Sequence, residues 1–577
     1  MTYKIKKNHI DIWIHYTKKD LLYSCGDGQW IKDKHCWRAG LGVDFLRNFI
    51  STFNLQDEKL NEILNKAIIT KRKELAVLRE CSMFVTNSDL KIPIEIKPKL
   101  TSYRHQDISL YASLNIAKFG LFLEAGTGKS KIIIDNIITR HLKGLVRRVL
   151  IVCPVLNIYN TWVDQLDTHN TIKASLDYTV LYGDKKKKLK IIEDINTRKD
   201  CLVLTNYDTI SNYGNLLNKF DFIVFDESRN LGSSLTNRTI ACNKLAIDAD
   251  YIILASGTVS TLKDCEDVFS QFITLDCGAT FGLSYARFRE KYFIDEGETY
   301  PDWKLKDDSL DLVRTKMYSK AISFKKSACL DLPNRVVKTI KIPMTKEQKD
   351  FTNWYCGIIS KEDSDSIRVK LPNNITDFID VVTEKQAIFK AEPIASRVKL
   401  LEICASGYYK PFSKPDVIIP IKSDKLNYLV DILNEIGTDK KIILWVSYNY
   451  DIAVISERLD REKIGYYVFT SKGKDIDNWR VSKDKNVLIG NVAIGSGVTL
   501  NEATYMIHYT LPNSLNNYLQ SIDRNYRIGQ NNKVTIFTLF TEDSYDETVY
   551  KSLKGTLKIS SKLTNSNIVK EALGKLI

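Results

Sequence analysis

Long apolar runs are missing from this chain of 577 residues. No run reaches the roughly 20 consecutive apolar residues that a membrane-crossing helix needs. The start, MTYKIKKNHIDIWIHY, has charged residues where a secretory signal peptide needs an uninterrupted apolar stretch. We therefore expect a soluble, intracellular protein that is cytoplasmic or nucleoid-associated, or that lies in the host cell cytoplasm if a virus encodes it.

Closely spaced cysteine pairs are missing as well. The 11 cysteines include no CxxC pair, and no His or Cys partners stand at zinc spacing beside Cys25 and Cys36. This pattern argues against a zinc ribbon or a disulfide framework and fits a reducing compartment, with the cysteines as small buried hydrophobes. Internal repeats and long low-complexity tracts are absent too, and the lysine run at 185–188 is typical of a solvated loop.

Apolar and basic residues, in contrast, are plentiful. Hydrophobic residues make up 44% of the chain, and its length predicts about three to four domains. Lysine and arginine number 84 against 70 aspartates and glutamates, which leaves a net charge of +14. A balance this basic attracts polyanions, but it does not by itself choose between nucleic acid and an acidic membrane surface.

Short β-branched runs alternate with amphipathic stretches from about residue 110, as is typical of α/β domains with parallel sheets. The runs fall into two series, which indicates two similar lobes. Ligands of such sheets bind beyond the carboxyl ends of the strands, so we expect the chemistry there. The first series comprises 148–154, 201–207, 220–228 and 251–258, and the second comprises 441–448, 466–471, 486–491, 505–512 and 534–540.

Four regions follow from this pattern. Residues 1–95 combine aromatic residues with a charged amphipathic helix near 56–80, and we predict a small accessory domain there, a candidate for substrate recognition. Residues 96–275 are predicted to form the first lobe and 421–577 the second lobe. Residues 276–420 are predicted to be a helical intervening region with a linker.

A glycine-rich loop follows the apolar run FGLFLE and precedes KIIIDNII, so it joins a strand to a helix. In this context glycines let backbone N–H groups close around phosphate oxygens, and the helix N-terminus favours an anion. Lys129 can reach the terminal phosphates of ATP, and Ser130 can ligate Mg²⁺. Leu123 stands where the longer consensus has glycine, so the match is to the GxGK[ST] form. The predicted nucleotide-binding residues of the loop are Glu124, Ala125, Gly126, Thr127, Gly128, Lys129 and Ser130.

Two adjacent carboxylates, Asp226 and Glu227, follow the apolar run FIVF. Asp226 can hold Mg²⁺, usually through water, and Glu227 can orient or deprotonate the attacking water. A lone Asp-Glu pair is more often a solvated turn. It is informative here because it ends an apolar run downstream of the glycine loop, in the same predicted sheet.

The segment QSIDRNYRIGQ at 520–530 carries Arg524 and Arg527 in the second lobe. Residues three apart share one face of a helix, which would let both guanidinium groups point at one phosphate. An arginine supplied from outside the glycine-loop domain stabilises charge on the transferring γ-phosphoryl group. Taken alone, two such arginines are typical of an ordinary surface helix.

In order and context these segments resemble superfamily 2 helicases, and within them the Swi/Snf-like branch of DNA translocases. The phrase DRNYRIGQ at 523–530, similar to that branch's DRxxRIGQ, is the most specific match. Tyr103 to Gln106 resembles the Q-motif, and Ser256-Gly257-Thr258 resembles the SGTP motif that couples hydrolysis to lobe movement. The remaining resemblances are CPVLNIYNTW (153–162) to motif Ia, TNYDTI (205–210) to a DNA-contacting turn, KSACLDLPNR (326–335) and MTKEQKDF (344–351) to the linker, SDKLNYLVDILNEI (423–436) to the helix before motif IV, GSGVTLN (495–501) to motif V, and TLFTEDSYDETVY (538–550) to the strand and helix that close the second lobe.

The resemblance implies two tandem RecA-like lobes and an ATP hydrolase, a helicase or translocase that nucleic acid stimulates. It implies that Gln106 reads adenine and that Ser130 with Asp226 holds Mg²⁺. Backbone amides and hydroxyls of 153–162, 205–210 and 495–501 are expected to contact DNA phosphates irrespective of sequence. The residues implied to be catalytic are Lys129, Asp226, Glu227, Arg524 and Arg527.

The implied partner is double-stranded or branched DNA, met by a monomer that contacts no membrane, with replication, recombination or transcription proteins as further partners. Arg229 stands where the family usually has histidine, Val259 replaces the proline after SGT, and LPNSLNNYLQ lacks the tryptophan of chromatin remodelers. These departures favour a smaller translocase, of the kind a phage or virus encodes, over a nucleosome remodeler.

Four interpretations of the activity stay open. The first is a duplex translocase that anneals strands, migrates branches or remodels forks in replication, recombination or repair, as the resemblance favours. The others are a strand-separating helicase, a motor that displaces a protein such as RNA polymerase, and a non-enzymatic module whose grip on DNA or protein ATP switches. Trp13, Tyr16, Trp30 and Trp37 could stack on exposed bases, but so short a segment more often uses its aromatics as a small core.

Overall fold

The structure is a computed structural model of the chain. It divides into two compact units, one formed by Met1–Asp331 and the other by Leu332–Lys558, and each is described by itself. No described helix is long and apolar enough to cross a membrane. The residues that the structure describes are 1–95, 100–173, 175–257, 265–297, 303–360, 398, 400–409, 419–469, 474–493 and 498–563.

The chain begins with a small domain built on an antiparallel sheet of strand order β1-β2-β4-β3. Trp37 lies in its core at 4% exposure, whereas Trp13, Tyr16 and Trp30 are 37%, 65% and 41% exposed. The interpretation of these aromatics as a core is therefore confirmed for Trp37 and wrong for the other three. The elements are β1 Thr2–Ile5, β2 His9–Trp13, α1 Lys19–Ser24, β3 Gln29–Ile31, β4 Cys36–Gly40, α2 Val43–Thr52 and α3 Glu58–Thr86.

Helix α3 serves two cores. Its first turn is capped by Asp57, whose carboxylate accepts a 3.0 Å hydrogen bond from the N–H of Leu60, and Leu60 packs in the core of the small domain. Further along, Leu78 and Phe84 enter the core of the first parallel-sheet lobe. The small domain is therefore joined to that lobe through shared apolar packing, so removing residues 1–95 would expose part of the lobe's core.

Seven parallel strands form the sheet of the first unit, in the order β13-β5-β10-β9-β6-β8-β7. Their apolar runs are buried because helices cover both faces of such a sheet. The predicted strands of the first series are confirmed, and β11 and β12 form a separate hairpin. The strands are β5 Lys118–Leu123, β6 Arg148–Cys153, β7 Tyr178–Val180, β8 Cys201–Asn206, β9 Phe222–Asp226, β10 Tyr251–Ala255, β11 Phe293–Asp295, β12 Trp303–Leu305 and β13 Ala321–Phe324.

Helices flank this sheet, and one of them corrects an expectation. The run at 185–188 is not a loop: it opens helix α8, because the carboxylate of Asp184 accepts a 2.8 Å hydrogen bond from the N–H of Lys187 and so caps the helix. The helices of the lobe are α4 Arg104–Asn115, α5 Lys129–Leu142, α6 Val155–Asn157, α7 Asp164–His169, α8 Lys185–Thr197, α9 Tyr207–Tyr213, α10 Asn237–Ala246, α11 Cys265–Asp276, α12 Tyr285–Tyr292, α13 Ser309–Tyr318 and α14 Lys326–Cys329.

The second unit holds six parallel strands in the order β14-β21-β20-β17-β19-β18. The predicted second series is confirmed, and with it the α/β class of two parallel-sheet lobes. Its elements are β14 Arg335–Ile342, α15 Lys346–Ser360, β15 Tyr408–Tyr409, β16 Ile419–Pro420, α16 Lys425–Ile436, β17 Ile442–Val446, α17 Asn449–Arg461, β18 Gly465–Phe469, α18 Lys474–Val481, β19 Lys485–Asn491, β20 Tyr505–His508, α19 Leu515–Ile522, β21 Val534–Thr541 and α20 Tyr545–Leu563.

The intervening region 276–420, as far as it is described, contains helices and also one edge strand for each large sheet. Strand β13 extends the first sheet beside β5, and β14 extends the second beside β21. Neither strand was predicted from the sequence pattern. The residues of β14 are mostly exposed, so the run RVVKTIKI lacks the continuous apolar character of a central strand.

Candidate functional site

The glycine loop lies at the carboxyl edge of the first sheet, between β5 and α5. Gly126 and Gly128 have φ angles of 79° and 92°, in the left-handed region that glycine tolerates best. Gly128 is the residue before α5, and no side chain caps that helix. The N–H groups of its first turn are therefore open to an anion, as a phosphate-binding loop requires.

Lys129 begins α5 and turns its side chain back along the loop. Its Nζ donates hydrogen bonds to the carbonyl oxygens of Leu123 at 2.8 Å and Glu124 at 3.4 Å. A Cβ on Gly257 would stand 3.5 Å from this Nζ, so the segment after β10 reaches the lysine. Thr258 and Val259 lie outside the described residues.

The other loop residues are also partly enclosed. Glu124 accepts a 2.8 Å hydrogen bond from the N–H of Lys326 at the start of α14, which fastens the loop to that helix. The backbone nitrogen of Ala125 lies 3.5 Å from the position of a Cβ on Gly257. Ser130 is the second residue of α5 and is half-buried.

Two side chains of α4 contact the backbone of the glycine loop. Gln106 donates from Nε2 to the carbonyl of Thr127 at 3.0 Å and accepts from the N–H of Tyr103 at 3.1 Å. His105 Nε2 lies 2.8 Å from the same Thr127 oxygen, and burial lowers the pKa of His105, which favours its neutral form. A Cβ on Gly128 would come within 2.2 Å of Gln106 Nε2. Gln106 thus supports the loop directly, and adenine reading stays a proposal for it.

The acidic pair follows β9, and the glycine loop follows β5. One strand, β10, lies between these two in the sheet. Asp226 ends β9, and its Oδ2 accepts hydrogen bonds from the indole of Trp162 at 2.9 Å and from Asn157 at 3.5 Å. Its Oδ1 accepts the N–H of Glu227 at 3.0 Å. The carboxylate is therefore held in one orientation at the edge where the glycine loop lies.

Burial and hydrogen bonding act on Asp226 in opposite directions. Burial raises the pKa of Asp226, while the hydrogen bond from Trp162 and the positive charge of Lys129 lower it. A divalent cation beside this carboxyl would favour its charged form. The arrangement fits a ligand for a divalent cation.

Glu227 adopts a backbone conformation that is rare for a residue with a side chain. Its φ and ψ are 48° and 54°, in the left-handed region, and it precedes the 3₁₀ turn Ser228–Leu231. Asn230 donates to the Glu227 carbonyl at 2.9 Å, and Ser228 donates to Gln271 at 2.7 Å. Strained backbone of this kind persists where surrounding structure enforces it, often at functional sites.

The side chains that support Asp226 were not predicted from the sequence. Asn157 and Trp162 lie in the segment assigned to DNA contact, and Tyr207, in the second such segment, donates to the Asp226 carbonyl at 2.7 Å. The hydroxyls of Thr205 and Thr209 are buried, so they are not available on the surface as the expected phosphate contacts. The available signal was an aromatic residue with a hydrogen-bond donor shortly after a strand, as Trp162 and Tyr207 are. Nothing in the neighbouring sequence indicates that such a residue contacts Asp226.

The arginine pair of the second unit does not share a helix face. Helix α19 ends at Ile522, and both Arg524 and Arg527 lie in the turn that follows it. The prediction that they share one face of a helix is therefore wrong. This turn is bonded to the segment before β20: Leu500 donates to the Arg524 carbonyl at 2.8 Å, and Gln530 donates to the Asn501 carbonyl at 2.9 Å.

The two arginines differ in their surroundings. Arg524 is 9% exposed, and one of its Nη atoms lies 3.5 Å from the Val498 carbonyl that it donates to. Arg527 is half-buried, and burial lowers its pKa while Asp523 opposes the shift. Residues 495–497 of the motif V segment lie outside the described residues.

Comparison with known families matches most of the chain. The profile for "SNF2-related domain" matches residues 38–392, and the profile for "Helicase conserved C-terminal domain" matches residues 424–529. The first match alone covers more than half of the 577 residues.

Similar curated proteins include ones from animals and from bacteria. The chain is 24% identical to human "DNA excision repair protein ERCC-6-like", over 81% of this chain and 41% of that protein. It is 23% identical to mouse "Chromodomain-helicase-DNA-binding protein 1-like", over 73% and 44%. It is 20% identical to an "Uncharacterized ATP-dependent helicase" of Mycoplasma genitalium, over 88% and 45%. The chain thus spans less than half the length of each of these relatives.

A solved structure gives a weaker likeness. The "Sulfolobus solfataricus SWI2/SNF2 ATPase core in complex with dsDNA" is 18% identical and covers 84% of this chain and 96% of its own, with a TM-score of 0.39.

Proposed function

The chain belongs to the SNF2-related domain family, and we propose that it is a nucleic-acid-stimulated ATP hydrolase that translocates on duplex or branched DNA and remodels it. One observation carries the proposal. The glycine loop, Lys129 and a buried Asp226 held by Trp162 meet at the carboxyl edge of one parallel sheet, where ligands of such sheets bind.

In the proposed reaction the N–H groups at the start of α5 receive the phosphates of ATP. Lys129 exchanges the carbonyls of Leu123 and Glu124 for phosphate oxygens, which its flexible side chain allows. Gln106 reads adenine with the donor capacity that its amide nitrogen retains, since that nitrogen carries two N–H groups. These contacts bind and orient the substrate before any bond is broken.

Ser130 and Asp226 are the proposed holders of Mg²⁺, which would neutralise charge on the transferring phosphoryl group. Within the described ranges no group of three or more His, Cys, Asp or Glu could hold a metal ion. A serine, one carboxylate and the phosphates of the substrate are the ligands that such an ATP site uses instead. Glu227, fixed by its left-handed backbone, orients the attacking water and takes its proton.

Arg524 and Arg527 are proposed to supply positive charge to the γ-phosphate in the transition state. Their engagement when ATP is bound, and their release after hydrolysis, would convert each turnover into a step of one lobe relative to the other. Since the contacts expected with DNA are to phosphates, tracking would be largely independent of base sequence.

Double-stranded or branched DNA is the proposed partner. The net charge of +14 supports a polyanionic partner. The DRNYRIGQ segment resembles the motif of the branch whose members move on duplex DNA without separating its strands. The proposed role is annealing, branch migration or fork remodelling. A strand-separating helicase and a motor that removes a protein from DNA are the alternatives.

The test compares ATP turnover of the full chain with and without single-stranded, duplex and forked DNA. Lys129→Ala should abolish turnover and keep the fold, whereas Lys186→Ala, which removes an exposed lysine of α8, should leave turnover unchanged. Turnover that survives Lys129→Ala would refute the assignment. Turnover that no DNA stimulates would favour an ATP-controlled binding module, and release of a displaced strand from a partial duplex would favour the helicase alternative.

A further inference from the structure

A basic groove lies on the first unit, in a region that the nucleotide site does not use. It is a cavity of about 510 Å³ between helix α3, the turn joining β1 to β2, and the segments 279–280 and 316–320. This volume falls within the roughly 300–1,000 Å³ that is usual for ligand sites.

The groove is at the opposite edge of the sheet from the glycine loop. Lys320, which lines the groove, immediately precedes β13, and β13 runs parallel to β5 with Ala321 beside Gly120. The glycine loop follows the far end of β5. At about 3.3 Å per residue, the length of β5 puts the two sites roughly 15–20 Å apart.

Six lysines line the groove from three separate parts of the unit, against two carboxylates, Asp44 and Glu74. Lys316 lies 3.5 Å from Asp44, and Lys320 lies 3.7 Å from Glu74. The lysines are Lys6, Lys7, Lys66, Lys71, Lys316 and Lys320.

Three of these lysines, Lys6, Lys66 and Lys71, make no ion pair within 4 Å among the described residues. Positive charge in the groove therefore exceeds what its own carboxylates neutralise. The charge of Lys71 acts to lower the pKa of Asp44 and of Glu74, so Lys71 lies near both carboxylates. An anionic ligand could bind Lys6 and Lys66 without displacing a carboxylate.

Like charges lie close together around Lys316. The pKa of Lys316 is lowered by burial and by the positive charges of Lys291 and Lys71, while Asp44 opposes the shift. Lys291 and Arg287 line a smaller cavity of about 110 Å³ that shares Asp44 and Lys316 with the groove. The row of cations thus continues into this second cavity, and a bound anion would relieve the repulsion.

The form of the groove favours a chain of phosphates over one phosphate group. Its cations are spread along the cavity on separate elements, whereas the glycine loop gathers backbone N–H groups around a single point. Ile63 and Ala67 of α3, with Leu41, add an apolar surface suited to sugar or base. We propose that this groove binds the phosphodiester backbone of a nucleic-acid strand, as a second anion site separate from the ATP site.

This inference deepens the proposed function and takes its class of ligand from it. The groove would hold a segment of DNA in addition to the segment that the motor tracks, and residues 1–95 would contribute four of its six lysines. The role predicted for residues 1–95 in substrate recognition would then depend on lysines rather than on the exposed aromatics.

The test uses the full chain with Lys66→Gln and Lys71→Gln combined. Neither lysine forms an ion pair within 4 Å among the described residues, and both lie on α3. The matched control combines Arg72→Gln with Lys73→Gln, which removes the same charge from exposed positions of the same helix that do not line the groove. Binding of labelled single-stranded, duplex and forked oligonucleotides is measured over a series of salt concentrations.

The groove variant should bind DNA more weakly, and the slope of log K against log[salt] should shrink by about 1 to 2, since each phosphate contact contributes about 0.7–0.9. The control should bind like the unsubstituted chain. A second variant, Lys6→Gln, removes one groove cation from a different element and should reduce the slope by about half as much. Circular dichroism and thermal unfolding check that all variants fold.

Two results would overturn the inference while leaving the proposed function intact. One is DNA-stimulated ATP turnover in the unsubstituted chain together with equal DNA binding by groove variant and control. The other is binding of a free nucleoside monophosphate that is lost in the groove variant and that displaces no DNA from the unsubstituted chain, which would make the site one for small phosphates. Absence of any DNA binding or stimulation in the unsubstituted chain would instead refute the proposed function itself. Basal ATP turnover without DNA should be the same in all variants.

Discussion

The indole nitrogen of Trp162 donates a 2.9 Å hydrogen bond to Oδ2 of Asp226, and both side chains are buried. An indole N–H can only donate, so this bond favours the charged carboxylate and opposes the effect of burial. The orientation of Asp226, the proposed Mg²⁺ ligand, therefore depends on an aromatic side chain from the segment that follows β6.

Replacing Trp162 with Phe should keep most of the apolar packing and remove the hydrogen bond. The pKa of Asp226 should rise further, so the acidic limb of the ATP turnover profile should move to higher pH and more Mg²⁺ should be needed. A hydrogen bond to a charged group contributes about 1.5–3 kcal/mol. Its loss should therefore lower the rate of ATP turnover by roughly 10- to 100-fold.

The matched control for that prediction is Trp445→Phe, which makes the same change in the core of the second unit. The indole nitrogen of Trp445 has no hydrogen-bond partner among the described residues, so its removal should not move the pH profile. Profiles of turnover against pH and against Mg²⁺ that coincide for both variants would contradict a role for Trp162 in holding the carboxylate.

Gly128→Ala should disrupt the glycine loop through Gln106. The added Cβ would stand 2.2 Å from Gln106 Nε2, in addition to the left-handed strain at φ 92°. Gly144 also has a positive φ, 69°, but nothing lies within 4 Å of an added Cβ there, so Gly144→Ala should show only the strain of about 1–2 kcal/mol.

The readouts for the glycine variants are ATP binding by titration and the free energy of unfolding. Gly128→Ala should lose more of both than Gly144→Ala. Adding Gln106→Ala to Gly128→Ala should restore part of the lost stability, because it removes the colliding amide. A double variant no more stable than Gly128→Ala alone would show that the collision is not the cause.

Arg524→Ala and Arg527→Ala should differ in their effects on kcat and on thermal stability. Arg527 is half-buried and can lose its side chain with little change in stability, so Arg527→Ala should lower kcat by about 1,000-fold if it stabilises the γ-phosphoryl transition state. Arg524 is 9% exposed and donates to the Val498 carbonyl, so Arg524→Ala should lower both kcat and thermal stability. Unchanged kcat in Arg527→Ala would remove it from the catalytic set.

The second unit should lose stability in mild acid because of His508. Burial lowers the pKa of His508 to about 3, below the value of a histidine in the unfolded chain. The unfolded chain therefore binds the extra proton first, and stability falls as pH drops from about 6.5 toward the folded pKa, by about 1.4 kcal/mol per pH unit.

The prediction is tested by measuring the free energy of unfolding of the second unit in denaturant at several pH values. His508→Gln should be less stable at neutral pH, because it loses packing around the 2.8 Å contact with Ser521, but its stability should fall less steeply with acid. His15→Gln, at an exposed position, should keep the original slope. Equal slopes in all three proteins would contradict the assignment to His508.

Central strands were easy to predict, and edge strands were not. Runs such as IILWV at Ile442–Val446 are buried throughout, so their apolar residues are continuous in the sequence. Strand β14 is mostly exposed and carries lysines, so its pattern is equally typical of a charged segment. The end of α19 was misjudged for a similar reason: three-residue spacing predicts a shared helix face only if the helix continues, and α19 ends at Ile522.

The sequence by itself determined the two α/β lobes, the glycine loop and the acidic pair, because each depends on residues that are neighbours along the chain. Only the tertiary structure decided which side chains support them. Trp162 and Asp226 are 64 residues apart, and Asp27 reaches the N–H of Leu283 across 256 residues. The lysines of the basic groove likewise come from distant segments. Periodicity records only local geometry, so contacts between distant segments become visible when the fold brings them together.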